Sequence, residues 1–235
     1  MEVRGDDLGE GKSASSPGRR GRPPRINRNL VISAALSVAP GPVTMQAVAD
    51  ALGVDRKAVS YHVGDRESLL ALMASTVFTS EFARVPAPTH GDWRDALAWY
   101  AHTIRRALTQ LGIHDVFPLE GAIGHAALEQ AEFVLGSLVE AGFDVEQAGR
   151  AANIVVELAI SAARDSLLRT GQQNHPQYEE AIGAMGNADS ADFPVLGQVV
   201  VAMSAARNVD AQFDFNLSVV FAGLATQLQS SPAAT

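Results

Sequence analysis

The chain has 235 residues, 47% of them hydrophobic, with six histidines, no cysteine and a formal net charge of −8. That length suffices for one or two domains with a real core, and the absence of cysteine excludes disulfides and thiol chemistry. A polar rather than signal-like start, and no apolar run of the ~18 residues a bilayer requires, make a cytoplasmic protein with no membrane partner the expectation.

The charge is unevenly spread. Residues 11–66 hold nine basic and three acidic residues, a net of +6, whereas the chain after residue 66 holds eight basic and nineteen acidic ones, a net of −11. A basic head on an acidic body is the electrostatic footprint of a modular nucleic-acid binder. Residues 1–24 are Gly, Ser, Pro and charge with almost nothing apolar, the composition of a disordered arm. Its end reads Pro17-Gly18-Arg19-Arg20-Gly21-Arg22-Pro23-Pro24-Arg25. Arg-Gly-Arg-Pro resembles the core of an AT-hook, whose extended arginines enter a narrow minor groove. An unspecific basic tail has the same composition, and both readings stand.

The first helix is expected over Ile26–Val38, with Leu30, Val31, Ala34, Ala35 and Val38 as its buried stripe. Next comes the most informative stretch, Thr44 to Arg66. Thr44 is a natural N-cap. Met45, Val48, Ala49 and Leu52 fall at i, i+3, i+4 and i+7, one buried face of a helix over 44–52. Gly53 supplies the left-handed residue that ends it. Asp55 caps a shorter helix over 55–61, on which Arg56, Lys57, Ser60 and Tyr61 point outward while Ala58 and Val59 pack inward. Cations and hydroxyls on the second helix of such a pair are what entry into a major groove requires. Thr44, Gln46, His62 and Arg66 complete the DNA-contacting set, and Tyr61, His62 and Arg66 can all bond phosphate oxygens, contacts that fix register.

A linking helix is expected from Arg66 to about Ala83, stopped by Pro86 and Pro88. Trp93, Leu97, Tyr100 and Ile104 recur at helical spacing from Asp92 to about Leu111. Further amphipathic helices are expected over Glu120–Ala141 and Val145–Arg169, broken at Gly142. Residues 170–192 read as a loop, with a short helix around Tyr178–Met185. The last helix is expected over Asp210–Leu228. No stretch alternates with period two, so the fold class is all-α. The helices over 145–169 and 210–228 are apolar nearly all round, so they are expected to be buried on several sides. Pairing with their copies in a homodimer would do this, with Ala152, Val155, Ala159, Phe213, Leu217, Val220 and Leu224 at the interface. One large monomer core would do it too. A two-fold dimer matches a palindromic operator on double-stranded DNA.

The block from about Asn27 to Met73, a fifth of the chain, resembles the DNA-binding domain of the TetR (tetracycline repressor-like) family. The resemblance rests on Ile32-Ser33-Ala34-Ala35-Leu36, on Thr44-Met45 before Val48-Ala49-Asp50-Ala51-Leu52-Gly53-Val54, and on Val59-Ser60-Tyr61-His62-Val63 before Arg66-Glu67-Ser68-Leu69-Leu70. The link Ala39–Val43 is shorter than the family's usual turn. Further on, Gly91-Asp92-Trp93-Arg94, Arg105-Arg106-Ala107-Leu108, Phe133-Val134-Leu135, Glu140-Ala141-Gly142-Phe143 and Phe213-Asp214-Phe215-Asn216-Leu217 resemble the ligand-binding domain of tetracycline-repressor-type members.

That resemblance implies an N-terminal helix-turn-helix domain over 25–73, a ligand-binding and dimerisation domain over 74–228, and a flexible tail over 229–235. It also implies an internal pocket for a small-molecule effector whose occupation separates the reading heads, with the linking helix as lever. Polar groups on apolar helices are candidates to line it, because an unpaired buried polar group costs roughly 1–3 kcal/mol. These are Asn153, Glu157 and Ser161, spaced i, i+4, i+8, with Thr103 and His102. A structural hydrogen bond, or a partner across a dimer, accounts for Glu157 as well. Phe82, Trp99, Tyr100, Phe117 and Phe133 supply flat walls. In tetracycline-binding members a histidine and an asparagine hold the drug and another histidine its magnesium. Those places fall on Phe82, Tyr100 and the Phe117-Pro118 region, so neither magnesium nor tetracycline is expected, and the ligand should be more aromatic or apolar.

Nothing marks the chain as an enzyme. It has no nucleophile elbow, no phosphate-cradling loop, no His-Glu-x-x-His and no metal-ligand spacing among its histidines. No cofactor and no metal are expected. The reading is a ligand-responsive repressor, released by an aromatic or polycyclic effector such as an antibiotic or natural product. The alternative is a DNA-binding regulator that has no inducer or needs a corepressor.

Overall fold

A computed structural model of the chain describes residues 26–39, 41–89, 91–112, 125–168, 180, 182–184, 192–205 and 209–230. The described elements are all helical, as the sequence predicts: α1 (Arg28–Val38), α2 (Met45–Leu52), α3 (Arg56–Val63), α4 (Arg66–Arg84), α5 (Trp93–Leu111), α6 (His125–Glu140), α7 (Val145–Leu168), α8 (Pro194–Ala205) and α9 (Val209–Ser230).

Short polar side chains set where the helices begin. Thr44 Oγ1 accepts the Ala47 N–H at 3.1 Å, Asp55 Oδ1 the Lys57 N–H at 2.9 Å, and Asp65 Oδ1 the Ser68 N–H at 2.8 Å. Each satisfies a donor that the first turn of a helix leaves without an intrahelical partner. Asp92 and Asp95 cap α5 reciprocally, the Asp92 N–H donating to Asp95 Oδ2 at 3.1 Å. Gly53 ends α2 at φ 64°, ψ 35°, and lets the chain turn into α3 within three residues.

The head is a small bundle in which Val31, Ala35, Val48, Ala49, Val59 and Val63 meet Leu69 and Met73 of α4. One expectation about it needs correcting. Asn27, whose Oδ1 accepts the Leu30 N–H at 2.9 Å, is the cap of α1, so the helix begins at Arg28 rather than Ile26. Its buried face is Val31, Ile32 and Ala35, with Ala34 and Val38 half-buried and Leu30 in solvent. The reason is that α1 packs against α2, α3 and α4 together, and the side that meets all three runs through 31, 32 and 35.

In the body, α5 is the central helix. It packs against α4, α6 and α7, and α9 packs on α7. Trp93 at the start of α5 meets Phe143 edge-on at 5.2 Å and Phe221 of α9 at 5.9 Å. Leu97, Val134, Leu138, Val155 and Phe213 are fully or almost fully buried, each contributing roughly 1.5–3 kcal/mol of apolar burial. The α6–α7 turn closes on Gly142 at φ 105°, with the Phe143 N–H returning to the Leu138 carbonyl at 3.1 Å. The head and body share α4, whose first half carries Leu69 and Met73 and whose last turns carry Phe82.

Helix α8 has no counterpart in the sequence reading. Pro194-Val195-Leu196-Gly197-Gln198-Val199-Val200-Val201-Ala202-Met203 has neither a polar stripe nor a helical period, so its spacing carries no helix signal. Its Val195, Leu196, Val199, Val201 and Met203 are exposed. The arginines of the arm (Arg19, Arg20, Arg22, Arg25), Phe117, the expected start of α6 at Glu120, and most of the predicted loop over 170–192 lie outside the described residues.

Candidate DNA-reading face and effector cavity

Val59 and Val63 anchor α3 to the head, and their burial turns Arg56, Lys57 and Tyr61 outward. Tyr61 is 86% exposed, its ring meeting only the edge of His62 at 5.2 Å. Among the described residues, the side chains of Arg56 and Lys57 make neither hydrogen bond nor ion pair. Ser60 and His62 are half-buried behind them.

Other residues of the expected DNA set are engaged within the protein. Thr44 spends its hydroxyl on the α2 cap. Gln46 Nε2 donates to Asp50 Oδ1 at 2.7 Å. Arg66 Nε donates to the Val43 carbonyl at 2.9 Å, tying α4 to the link before α2. A residue that sequence reasoning did not single out does similar work: Arg28 Nε donates to the His62 carbonyl at 3.2 Å, so α1 holds the C-terminal end of α3. A carbonyl left over in the last turn of a helix accepts such a donor readily.

Between α4, α5, α6 and α7 lies a cavity of about 150 Å³. Phe78 and Phe82, one turn apart on α4, stack at 6.5 Å, and Phe82 stacks on Tyr100 of α5 at 6.0 Å, both pairs tilted by 25°. Ile104, Leu108, Leu128, Ala131 and Ile160 complete most of the wall. Tyr100 carries the sole polar side chain among the lining residues. Burial pushes its phenol above the usual value of 10.0, so at neutral pH it is a neutral donor and acceptor.

Of the expected ligand residues, the structure brings Phe82 and Tyr100 into this wall. Trp99 and Phe133 stand behind it: Trp99 packs on Phe82 at 5.4 Å and edge-on to Phe133 at 5.8 Å, and its Nε1 donates to the Val85 carbonyl at 2.8 Å. Thr103 is fully buried and fully used, donating to the Trp99 carbonyl at 2.7 Å and accepting from Arg106 at 2.9 Å. His102 is on the opposite side of α5, 3.1 Å from Asp214 and edge-on to Phe213 at 5.1 Å. Burial holds its pKa below 6.5, with Asp214 pulling the other way.

Asn153, Glu157 and Ser161 do share a face of α7, but it is the exposed face, away from the cavity. There Asn153 Nδ2 donates to Glu157 Oε1 at 2.8 Å. The polar oddities on an apolar helix therefore satisfy each other at the surface of the protomer. The lining residues that sequence reasoning missed had a signal in the aromatic pair Phe78/Phe82 at i, i+4, facing Tyr100, Ile104 and Leu108 at i, i+4, i+8.

The expected dimer residues divide similarly. Val155, Ala159, Phe213 and Leu217 are buried inside the protomer, and Ala152, Val220 and Leu224 are half-buried. The large apolar side chains that α7 and α9 leave exposed are Ile154, Phe215 and Val219, with Val145 and Leu168 at the two ends of α7. Among the described residues no helix is long and apolar enough to cross a membrane, and no three carboxylates or histidines group as metal ligands.

The chain is similar to known proteins over most of its length. Residues 85–228 match the family model described as the tetracyclin repressor-like C-terminal domain. An HTH-type transcriptional regulator of Saccharopolyspora erythraea is 27% identical over 213 residues, 86% of each chain. The class A tetracycline repressor protein from transposon 1721 of Escherichia coli is 27% identical over 207 residues, 86% of this chain and 91% of that one. The Streptomyces coelicolor TetR family protein ActR, solved in complex with actinorhodin, shares the fold with a TM-score of 0.63 at 20% identity, over 87% of this chain and 97% of that chain. With its C-terminal family model spanning more than half of its length, the chain belongs to the TetR family of transcriptional regulators.

Proposed function

We propose that the protein is a repressor that binds a palindromic operator as a homodimer and releases it when a small, flat, largely apolar effector fills the α4–α7 cavity. The observation that carries this reading is the course of α4. One uninterrupted helix starts at the Asp65 cap beside α3 and ends with Phe78 and Phe82 in the cavity wall. An effector that favours one position of Phe78 and Phe82 thereby favours one position of the head. Only the difference in its affinity for the two states weakens DNA binding.

In this reading residues 25–73 form the DNA-binding domain and 74–228 the effector and dimer domain. Arg56, Lys57, Ser60 and Tyr61 enter the major groove, and the arm with Arg19, Arg20, Arg22 and Arg25 follows the DNA beside it. In this reading Phe82 and Tyr100 take the places of the polar clamp of tetracycline-binding members, as the family resemblance implies, so the effector is aromatic and other than tetracycline. The relatives that are tetracycline repressors, and ActR with its bound actinorhodin, make an antibiotic or natural product the class to screen, and a resistance or export gene the class of target. The exposed Ile154, Phe215 and Val219 give the two copies an apolar face on which to pair, and the Asn153–Glu157 couple lies on the α7 part of that face.

The test is a gel shift with DNA flanking the protein's own gene, at defined salt, with a panel of aromatic natural products. A palindrome-dependent, salt-sensitive shift released by one compound establishes the proposal. A shift that no compound releases, or one that appears only when a compound is added, replaces it with a regulator that lacks an inducer or needs a corepressor. Phe215→Glu should yield monomers that no longer shift the operator. A dimer that survives this change places the interface elsewhere. Deleting residues 1–24 should weaken binding and lessen its salt slope, and an unchanged slope makes the arm a mere tail.

A further inference from the structure

On the side of α5 away from the aromatic cavity lies a second concavity of about 630 Å³. Its walls are charged: Glu81 and Arg84 from α4, His102, Arg105 and Arg106 from α5, and Asp210 from α9. Three of the eight basic residues that follow residue 66 converge here, in a part of the chain whose net charge is −11.

The way these cations are held is uneven. The Arg105 side chain is only 12% exposed and its guanidinium lies 5.0 Å from the Phe213 ring centre, so packing fixes it in place. Its counter-ion Asp210, at 2.6 Å, is 72% exposed. A cation held by protein and balanced by a carboxylate in water is prepared to exchange that carboxylate for another. Glu81 is shared by two forks, Arg84 at 2.7 Å and Arg106 at 3.1 Å. Three guanidiniums thus share Glu81 and Asp210 in the cleft wall, with Asp214 beside His102 as a third carboxylate nearby.

We propose that this cleft is an anion site, separate from the aromatic cavity, that takes a small monocarboxylate on Arg84, Arg105 and Arg106. The planar forks of arginine match the two oxygens of a carboxylate, and an incoming monocarboxylate replaces Asp210 on Arg105 charge for charge. The bound carboxylate competes with Glu81 for Arg84 and Arg106. It therefore loosens the clamp between α4 and α5 at the last turns of α4.

The experiment is calorimetric titration of the full-length protein with sodium benzoate at fixed ionic strength. Arg84→Gln and Arg106→Gln should each weaken benzoate about tenfold, the scale of one charged hydrogen bond. Glu81→Gln, which removes the competitor, should tighten it several-fold. Arg150→Gln, which deletes the same charge from an exposed pair on α7, should leave it unchanged. Melting curves check that each variant is folded, and Arg84, 55% exposed, lies outside the core. Absence of benzoate binding at millimolar concentration, binding that survives both arginine changes, an equal loss in Arg150→Gln, or no gain in Glu81→Gln overturns the proposal. None of these readouts involves DNA, so the outcome is independent of the operator reading.

Discussion

The head and the body reach function by opposite means. In the head, three short capped helices bury valines and alanines so tightly that Arg56, Lys57 and Tyr61 are left outside, and the proposed function rests on side chains the fold does not use. In the body, long helices with aromatic and branched residues leave a gap between Phe82, Tyr100 and Ile160, and the proposed function rests on space the fold does not fill. The lesson is that a reading surface can be changed without touching stability, whereas a cavity cannot, because its walls are also the core.

The contrast can be broken at either end. The largest effects belong to the head: Arg56→Ala and Tyr61→Ala should each cost about 1–3 kcal/mol of operator affinity in an anisotropy titration, with the melting temperature unmoved. A fall in melting temperature would show that these side chains support the head after all. In the body, Ala131→Phe fills the cavity wall. It should abolish release by effector while operator binding persists, at a stability cost of about 1–3 kcal/mol for overpacking. A variant that still responds moves the effector site away from this cavity. Thr103→Val removes a hydroxyl that donates to the Trp99 carbonyl and accepts from Arg106. Its loss should lower unfolding stability by about 1–2 kcal/mol in urea titrations.

Smaller effects sharpen the same comparison. Gly53→Ala puts a side chain at φ +64°, but nothing lies within 4 Å of the added carbon. The cost should stay near the backbone penalty of about 1–2 kcal/mol, and a larger loss would reveal packing that the head conceals. The smallest effect is one of pH. The hydrogen bond from Arg84, and then that from Arg106, holds the Glu81 carboxyl below its usual 4.5 against the opposing pull of burial. The stability this contributes is fully present above about pH 4.5 and is lost as pH falls through the lower folded value. Glu81→Gln should therefore flatten the acid limb of a stability–pH profile, and an unchanged limb would mean the α4–α5 clamp contributes nothing to it.

The head was almost wholly legible in the sequence. Thr44, Gly53 and Asp55 set its helix ends through contacts within four residues, and such local chemistry can be read from spacing alone. The misplaced stripe of α1 shows the limit even there, since which of Leu30 and Ile32 is buried depends on three neighbouring helices. In the body the periodicity gave the helices their places, and Phe82 and Tyr100 proved to be cavity residues. Asn153, Glu157 and Ser161 did not, because a polar stripe on an apolar helix marks both a pocket and a surface, and only packing against α5 and α9 shows which side faces out.

By itself, then, the sequence determined the helical class, the caps and turn of the reading motif, the basic face of α3 and the split of charge between head and body. All of these follow from interactions within a turn or two of one helix. Tertiary structure alone decided which side of α5 encloses a hydrophobic space and which gathers three arginines. It also decided that Arg28 and Arg66 brace the head from within, and that Val155 and Phe213 are core while Ile154 and Phe215 are surface. Cavities and long-range ion pairs depend on how helices far apart in the chain are brought together, and no spacing along a single helix records that distance.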